Sequence, residues 1–298
     1  MHGGREVARR SVLVAGVSSA LLGGASIALI GELERTGPQH ILAAGRHGGG
    51  VVPTRTPQPV DRAGVPPRRP APVRTAARVT TAKPPAWARL WHAPIYRLDD
   101  FTRRWPTVRY PRHAVLLTID DGPSPAWTPR YLALLAKYRV RATFCMIGEQ
   151  VPPNRHLARA VVEHGHVVAN HTWTHDEGLP YRSTARIRSE IERTNEAIHA
   201  ATGVVPNQYR APGGVWGPRV YAELARQRMM PLCWDVDPRD WSRPGTAVIE
   251  AALLRARPHD IMLCHDGGGD RSETYHALQK VIPALLHRGY EFVTLPAR

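Results

Sequence analysis

Apolar runs with strand character alternate with helical patterns from residue 114 to the end of the chain. Strands are predicted at residues 115–119, 142–147, 166–170, 208–210, 230–235, 261–264 and 292–295, and helices at 128–138, 155–164, 183–201, 218–227, 246–255 and 273–287. Parallel strands need a long crossover connection, which is normally a helix. The alternation therefore predicts a parallel α/β fold. For the third helix, Ser183 is the predicted N-cap and Gly203 the predicted stop.

The first predicted strand ends in two adjacent carboxylates, Asp120 and Asp121, followed by Gly122 and Pro123. Successive side chains of a strand point to opposite sides, so the two carboxylates leave nearly the same point in different directions. One of them can bind a cation while the other acts as a base, and the spacing leaves open which does which. Taken alone, the same residues also fit a solvated turn.

Ionisable residues follow five of the predicted strands. They are Asp120 and Asp121, His171 and His175, Arg210, Asp237 and Asp240, and His265. In a parallel barrel, the carboxyl ends of all strands lie on one face, where catalytic residues are found. We therefore expect these five loops to form a single site.

Two histidines four residues apart form, with one carboxylate, a set of three metal ligands that leaves positions open for water. A bound metal lowers the pKa of water from about 15.7 to about 7 and so produces a nucleophile at neutral pH. A second carboxylate can take the proton of that water, and a histidine can protonate the leaving atom. Arg210 is predicted to orient the base through paired hydrogen bonds, and Asp240 to keep His265 protonated.

Five ordered motifs resemble those of the polysaccharide deacetylases, carbohydrate esterase family four, which share the chitooligosaccharide-deacetylase homology domain. Residues 118–123 match T-F-D-D-G-P with Ile119 in place of Phe, 171–175 match H-[ST]-x-x-H, 210–212 match R-x-P, 237–241 match D-x-x-D-W, and 263–265 match L-x-H. The resemblance spans roughly residues 115–295. It implies a distorted (β/α) barrel of about seven parallel strands.

The resemblance also implies roles for the polar residues of these motifs. Asp121, His171 and His175 would be the metal ligands. Asp120 would be the general base, and Arg210 would pair with it.

In the same way, the resemblance makes His265 the general acid and Asp240 the residue that tunes it. Trp241 would wall the substrate groove and Leu263 would line the acetyl pocket. Gly213 stands where many members carry Tyr or Phe, whose backbone N–H helps bind the oxyanion. Glycine keeps that donor but removes the aromatic wall, so the shape of the substrate groove is expected to differ.

The resemblance implies metal-dependent removal of N-acetyl groups, with release of acetate, from N-acetylglucosamine or N-acetylmuramic acid of peptidoglycan or a chitin-like glycan. An O-acetyl esterase acting on xylan would use the same residues. A non-catalytic wall-binding scaffold is disfavoured by the intact base, acid and ligands, and an iron oxygenase by the alternating βα pattern. The expected cofactor is one divalent metal ion, zinc by default, although cobalt, manganese, nickel and iron also suit these ligands.

Neither nucleic acid nor nucleotide is an expected partner, because no nucleic-acid-binding motif and no Gly-rich phosphate loop are present. The three cysteines, Cys145, Cys233 and Cys264, lie in apolar strand-like runs without a CxxC pair. They are predicted to be buried thiols rather than parts of a disulfide framework.

The amino-terminal part of the chain differs in composition. Arg5, Arg9 and Arg10 precede an uncharged stretch of 21 residues, which is typical of an export signal and also close to the ~20 residues that span a bilayer. Residues 1–35 are therefore predicted to be an export signal or an uncleaved membrane anchor. Either places the rest of the chain outside the cytoplasm, extracellular or at the cell surface.

Residues 36–86 are rich in Pro, Gly, Ala and Arg and are predicted to form a disordered linker. Residues 1–88 hold 12 Lys/Arg and 4 Asp/Glu, so 12 − 4 = +8 of the formal net charge of +15 lies there. Such a charge favours contact with an anionic cell wall or membrane. An aromatic-rich lead-in, residues 87–112, is expected to pack on a catalytic domain at 113–298.

Overall fold

The structure, a computed structural model, describes residues 92–297. The predicted export segment and basic linker lie outside these residues. The strands of this part are β1 (Ala114–Asp120), β2 (Thr143–Met146), β3 (Val167–Asn170), β4 (Gln208–Tyr209), β5 (Met230–Pro231), β6 (Ile261–His265) and β7 (Glu291–Phe292). Its α-helices are α1 (Leu98–Arg104), α2 (Thr128–Tyr138), α3 (Arg155–Glu163), α4 (Thr184–Thr202), α5 (Pro218–Gln227), α6 (Thr246–Leu253) and α7 (Ser272–His287).

The strands form one parallel sheet in the order β5-β4-β3-β2-β1-β6, and β7 pairs with the beginning of β1. The register places Asp120, the last residue of β1, between Cys145 of β2 and His265 of β6. The bridge from Val236 to Met262 connects the β5 side of the curled sheet to its β6 side. The segment before α1 connects the same two sides through bridges from Ile95 to Leu232 and from Arg97 to Asp260. The predicted distorted (β/α) barrel is confirmed.

Strand β1 is buried along its whole length, with one face toward the helices and the other toward the barrel interior. Val115, Leu117 and Ile119 belong to a core cluster shared with residues of α2, α3, α6 and α7. Leu116 belongs to a second cluster together with Ile95 and the first turns of α1. Because strand side chains alternate, Asp120 shares the interior face with Leu116 and lies at the carboxyl end of the barrel.

Helix α1 was not predicted from the sequence because its seven residues are too few to show a helical period. Asp99 and Asp100 lie in its first turn, where they complement the positive end of the helix dipole. Its Leu98 and Phe101 are buried against the interior cluster. The segment before β1 therefore contributes packing at the β5–β6 gap.

Five strands are shorter than predicted, and three of them, β4, β5 and β7, have only two residues. The predicted strands at 208–210 and 230–235 contribute two paired residues each to β4 and β5. The strand predicted at 292–295 contributes only Phe292 to β7, which begins at Glu291. Pro231 has no N–H to donate, and the chain after it continues through single bridges rather than a regular ladder. The missing donor and the single bridges explain why the strands on the distorted side of the barrel are short.

Smaller predictions can also be compared with the structure. Ser183 caps α4, since its hydroxyl accepts a 3.2 Å hydrogen bond from the Arg186 N–H, and Gly203 ends the helix with a φ of 76°. The three cysteines are free and buried, as predicted. Within residues 92–297, no helix has the length and apolarity that a membrane crossing would require.

Candidate active site

Asp121, His171 and His175 place one ligand atom each in a common cluster at the carboxyl end of the sheet. The Asp121 Oδ1 lies 3.4 Å from the Nε2 atoms of both histidines, and all three ligand atoms are within 4.8 Å of one another. This oxygen is buried and accepts no hydrogen bond from the part of the chain that the structure describes. A buried, unpartnered carboxylate oxygen beside two imidazole nitrogens fits a divalent cation.

The loop that carries the two histidines is a turn rather than a helix. Thr172 and His175 have φ values of 64° and 58°, in the left-handed region. Side chains from neighbouring elements fix this conformation: the Asn170 Oδ1 accepts a bond from the Thr172 N–H, and the Glu190 carboxylate accepts bonds from the N–H groups of Trp173 and Thr174. The two imidazoles consequently pack edge-on, 4.8 Å apart.

The tautomer of His171 is set by the backbone of Arg210. The His171 Nδ1 lies 2.9 Å from the Arg210 carbonyl oxygen, which can only accept. In the neutral ring the proton is therefore on Nδ1, and the lone pair of Nε2 points toward Asp121. Such a bond is typical of metal-ligating histidines, because it fixes both the tautomer and the ring orientation.

Asp120 is buried at the end of β1 and is held by Arg210, which has no exposed side-chain surface. The Arg210 Nη1 donates to the Asp120 Oδ1 at 2.8 Å and to the Thr118 hydroxyl at 2.6 Å, and its Nη2 donates to the Cys233 carbonyl at 2.9 Å. The prediction that Arg210 contacts the base is met, but the paired hydrogen bond to the carboxylate was wrong. The guanidinium shares its donors among three acceptors, because the curl of the sheet brings β1 and the end of β5 within its reach.

The other Asp120 oxygen, Oδ2, lies 3.6 Å from the His171 Nε2. Asp121 has left the strand, with a φ of 74°. The expectation that the two carboxylates point in different directions therefore holds only within the strand. After the strand end both face the same imidazole, so a base and a ligand can act on one bound water.

His265 and Asp240 form a buried pair on the β6 side of the same rim. The His265 Nδ1 lies 2.7 Å from the Asp240 Oδ1, while the Asp240 Oδ2 accepts bonds from the His265 N–H and the Thr274 hydroxyl. Burial disfavours the imidazolium, but the hydrogen bond and charge of Asp240, with the charges of Asp121 and Asp120, raise the pKa of His265 to about 9. The imidazole is thus protonated at neutral pH, as a general acid requires.

Two of the three proposed ligands, Asp121 and His175, have pKa values shifted toward the forms that bind metal. For His171, burial disfavours the imidazolium, but the nearby carboxylates of Asp120 and Asp121 raise its pKa. Burial opposes ionisation of Asp121, but the nearby imidazoles of His171, His265 and His175 outweigh it and hold the carboxyl pKa well below its usual range. Burial, together with the charge of His171, lowers the pKa of His175. An ionised Asp121 and a neutral His175 are the forms that coordinate a cation.

The three predicted groove residues also lie at this rim. Leu263 is buried on β6, two residues before His265, and so faces the barrel interior with it. The indole of Trp241 is half exposed, at 50%, beside the Arg239 guanidinium. Gly213 has a φ of 57°, and its N–H is not used by the adjacent turn bonds, which run from Gly214 to Ala211 and from Val215 to Pro212.

Sequence reasoning missed Trp234, which lies against the base assembly. The Arg210 guanidinium carbon lies 5.4 Å from the centre of its ring, and a Cβ on Gly214 would come within 3.0 Å of the ring edge. Its position near the carboxyl end of the strand predicted at 230–235 was the available signal. This aromatic ring forms a wall near Gly213, where the family's own aromatic side chain is absent.

Asp266 and Arg271 also support the loops of the site, and the sequence did not predict these contacts. Asp266 is fully buried beneath the Asp121 turn, and its carboxylate accepts a hydrogen bond from the Thr128 hydroxyl. A Cβ on Gly122 would lie 2.4 Å from the Asp266 Oδ1, which explains the glycine at this point. Burial raises the pKa of Asp266 to about 7, more than the Thr128 bond lowers it.

The side chain of Arg271 connects two of the loops that carry the site. Its Nε donates to the Gly267 carbonyl at 2.6 Å, and its Nη1 to the Trp241 carbonyl at 3.3 Å. The loop after β6 is thereby tied to the segment that presents Asp240 and Trp241. No sequence motif indicated this contact.

The fold and the site define a class of protein, the metal-dependent hydrolases. The defining features are the parallel α/β barrel, the cluster of two histidines and one carboxylate, the separate carboxylate base and the protonated histidine. Comparison with known families narrows this class. Residues 107–231 match the family model described as polysaccharide deacetylase. A chitooligosaccharide deacetylase of Rhizobium leguminosarum bv. trifolii is 41% identical over 194 residues, which cover 61% of this chain and 90% of that protein. The chain belongs to the polysaccharide deacetylase family, as its motifs predicted.

Two solved structures extend the comparison to the fold. The Bc1960 peptidoglycan N-acetylglucosamine deacetylase has a TM-score of 0.60 and 32% identity, covering 63% of this chain and 88% of its own. BA3943, a CE4 family pseudoenzyme from Bacillus anthracis, has a TM-score of 0.60 and 31% identity, covering 68% and 67%. Because the family includes a pseudoenzyme, activity has to be argued from the site and not from membership alone.

Proposed function

We propose that the protein is a metal-dependent deacetylase that hydrolyses N-acetyl groups of N-acetylglucosamine or N-acetylmuramic acid residues in a cell-wall glycan and releases acetate. The observation that carries the proposal is the completeness of the site. Asp120 lies 3.6 Å from a metal-ligand imidazole, and the protonated His265 is its neighbour across the β1–β6 ladder. Base, ligands and acid therefore converge on one point.

Asp121, His171 and His175 would hold one divalent ion, and we propose zinc because carboxylate and imidazole ligands in an open three-ligand set are typical of catalytic zinc. When bound, such an ion lowers the pKa of water and polarises a carbonyl oxygen. Cobalt, manganese, nickel and iron are compatible with the same ligands. Zinc is thus the proposal, and metal substitution is its test.

Each step of the reaction is assigned to a different residue of the chain. Asp120 accepts the proton of the attacking water, with Arg210 fixing the position of its Oδ1. The Gly213 N–H donates to the oxyanion as the acetyl carbon becomes tetrahedral. His265 delivers its proton to the leaving sugar nitrogen, and Asp240 stabilises the imidazolium until that transfer. Charge that develops only in the transition state is stabilised by the N–H donor, so the arrangement raises the rate.

A non-catalytic wall-binding scaffold is the alternative from a different class. Among the described residues, the proposed base, the acid and three ligands are all present, and each has the hydrogen-bond partner or contact that its role requires. An O-acetyl esterase would use the same groups, since an ester leaves as an alkoxide that His265 can also protonate. The amide is preferred because an amine leaves only when protonated, which the raised pKa of His265 serves.

Acetate release by the purified 298-residue chain tests this function. The substrates are fully acetylated chitotetraose, peptidoglycan and acetylated xylan, each with chelator and with zinc added back. We expect zinc-dependent release from the N-acetylated glycans and a loss of at least 100-fold in Asp120→Asn and His265→Ala. The matched controls, which should retain activity, are Asp99→Asn and His276→Ala. Asp99 lies on α1, where it contacts His259 ahead of β6, and His276 is exposed on α7.

Two results would change the conclusion. Release from xylan alone would make the protein an O-acetyl esterase. No release from any substrate by a folded, zinc-loaded protein would favour the scaffold.

We also propose that the enzyme acts outside the cytoplasm. The support is the basic start and uncharged 21-residue stretch of the amino-terminal segment, followed by a linker whose positive charge suits an anionic wall or membrane. Fractionation of cells expressing a carboxyl-terminally tagged chain tests this. Recovery in the cytoplasm would contradict it.

A further inference from the structure

Glu177 takes no part in the proton transfers proposed above, and two observations place it at the rim of the site. It follows the ligand His175 by two residues, on the loop after β3. Its side chain also lies against Gly213: a Cβ there would be 3.0 Å from the Glu177 Cδ and 3.3 Å from its Oε1. The carboxylate thus lies beside the proposed oxyanion donor, on the loop that carries a metal ligand.

The space over Gly213 is available to Glu177 because this glycine has no side chain. Gly213 has a φ of 57°, where a side chain is strained, and any Cβ would crowd the Glu177 carboxylate. Family members with an aromatic residue at this point have an apolar wall. In this chain the Glu177 carboxylate lies there instead, and the Trp234 ring lies beside the next residue, Gly214.

The charge of Glu177 is not neutralised by its neighbours. Its side chain is exposed, and no hydrogen bond or ion pair between residues 92 and 297 includes it. The nearest charged residues in sequence are paired with each other, since the Arg182 Nε contacts the Asp176 Oδ2 at 2.7 Å. Among the influences on the pKa of His175, burial and the His171 charge lower it, and the negative charge of Glu177 counts among those that raise it. Within the described part of the chain, the Glu177 carboxylate is therefore an unpaired negative charge at the rim.

We propose that Glu177 determines specificity by binding the ammonium group of a glucosamine unit next to the acetylated sugar that is hydrolysed. This inference rests on the proposed function and deepens it. Fully acetylated sugars are neutral, and loss of an acetyl group exposes the cation that such a carboxylate attracts. The groove thereby favours chains that are already partly deacetylated, and it disfavours segments with a carboxylate at the same position.

Binding of the fully deacetylated glucosamine tetramer tests the inference without turnover. Calorimetry on the zinc-loaded chain at low ionic strength compares wild type, Glu177→Gln and Glu196→Gln, an exposed carboxylate on α4. We expect Glu177→Gln to weaken binding about three- to fivefold, as for an exposed ion pair, and Glu196→Gln to have no effect. About 0.3 M salt should abolish the difference. Equal affinity in all three proteins at low salt would overturn the inference.

Kinetics then separate this inference from the proposed function. On chitotetraose with one acetylated unit, Glu177→Gln should lower kcat/KM by the same three- to fivefold, while on the fully acetylated tetramer it should stay within twofold. An equal decrease on both substrates, or a weaker zinc affinity in Glu177→Gln, would assign Glu177 to the metal site and overturn the inference. Absence of acetate release by wild type would contradict the proposed function, and the calorimetric result would still decide the role of Glu177.

Discussion

The Asp120 carboxylate and the Arg210 guanidinium are joined by a 2.8 Å hydrogen bond in which neither side chain has appreciable solvent exposure. Removing one partner of a buried ion pair leaves the other charge uncompensated and costs about 3–5 kcal/mol. We expect Arg210→Ala to lower the free energy of unfolding by about that amount, measured by chemical denaturation. The remaining folded protein should lose acetate release at least 100-fold.

Arg210→Lys separates charge from geometry in the same pair. An ammonium keeps the charge but cannot reach Thr118, Asp120 and the Cys233 carbonyl together. We expect a folded protein whose kcat falls tenfold or more. Arg103→Lys, in an exposed ion pair with Asp100 on α1, is the matched control and should leave stability and kcat nearly unchanged. A fully active Arg210→Lys would show that charge alone suffices.

The division of labour between Asp120 and Asp121 can be measured through metal binding. Asp121 Oδ1 is the unpartnered oxygen beside both imidazoles, while Asp120 is already held by Arg210. We expect Asp121→Asn to weaken zinc binding at least 100-fold and Asp120→Asn at most tenfold, in competition with a chelating dye. Zinc at 100 times its Kd should add about 2.7 kcal/mol to the stability of wild type and of Asp120→Asn.

The opposite pattern of zinc affinities would make Asp120 the metal ligand and Asp121 the base. If Asp120→Asn lost zinc and Asp121→Asn retained it, the ligand would be the strand-end residue. Equal zinc affinity in both variants and wild type would contradict the metal site itself.

Asp240 sets the pH range over which His265 can act as an acid. Burial disfavours the imidazolium, and the Asp240 hydrogen bond and charge are the first influences that raise the pKa of His265 to about 9. Asp240→Asn keeps an acceptor for the Nδ1 proton but removes the charge, so the pKa should fall. The protonated acid is then lost at lower pH, and the alkaline limb of kcat/KM should move down by at least one pH unit.

The loss of activity in Asp240→Asn should accordingly be larger at pH 8 than at pH 6. An NMR titration of His265 in the metal-free protein provides a readout independent of turnover. The control is Asp237→Asn, an exposed carboxylate that accepts a bond from the Arg239 N–H. An unshifted alkaline limb would mean that another group limits the rate at high pH.

The central strands and the site loops could be predicted because their signals are local. β1 and β6 are apolar runs of seven and five residues, fully buried, and each ends in the residues that the motifs name. The convergence of Asp120 and His265 then follows from parallel pairing. β4 and β5 contribute two residues each, too few for an alternation to be recognised.

Contacts that depend on the curl of the sheet could not be predicted. The three acceptors of Arg210 belong to β1 and to the chain after β5, which a sequence does not show to be close. Likewise, Asp266 can lie beneath Gly122 only because the turn after β1 passes within van der Waals distance of the loop after β6. The proximity of Glu177 to Gly213 is of the same kind.

His166, which is not one of the metal ligands, makes the free energy of unfolding depend on pH. Its Nδ1 accepts a 3.2 Å hydrogen bond from the Ala142 N–H, so the buried ring is neutral. Burial, with smaller contributions from the charges of His164 and Arg141, lowers the pKa of His166 from 6.5 to about 4. Between these values the unfolded chain binds a proton that the folded chain does not, so stability falls as the pH decreases from about 6.5 to 4.

His166→Gln removes this titration. Between pH 7 and pH 4.5, the free energy of unfolding of wild type should therefore fall about 2 kcal/mol further than that of His166→Gln. Chemical denaturation of the metal-free proteins measures both values, and the titrations of all other groups cancel in the comparison. His276→Gln, on the exposed face of α7, should show the wild-type loss. Equal losses in wild type and His166→Gln would mean that His166 is protonated in the folded chain.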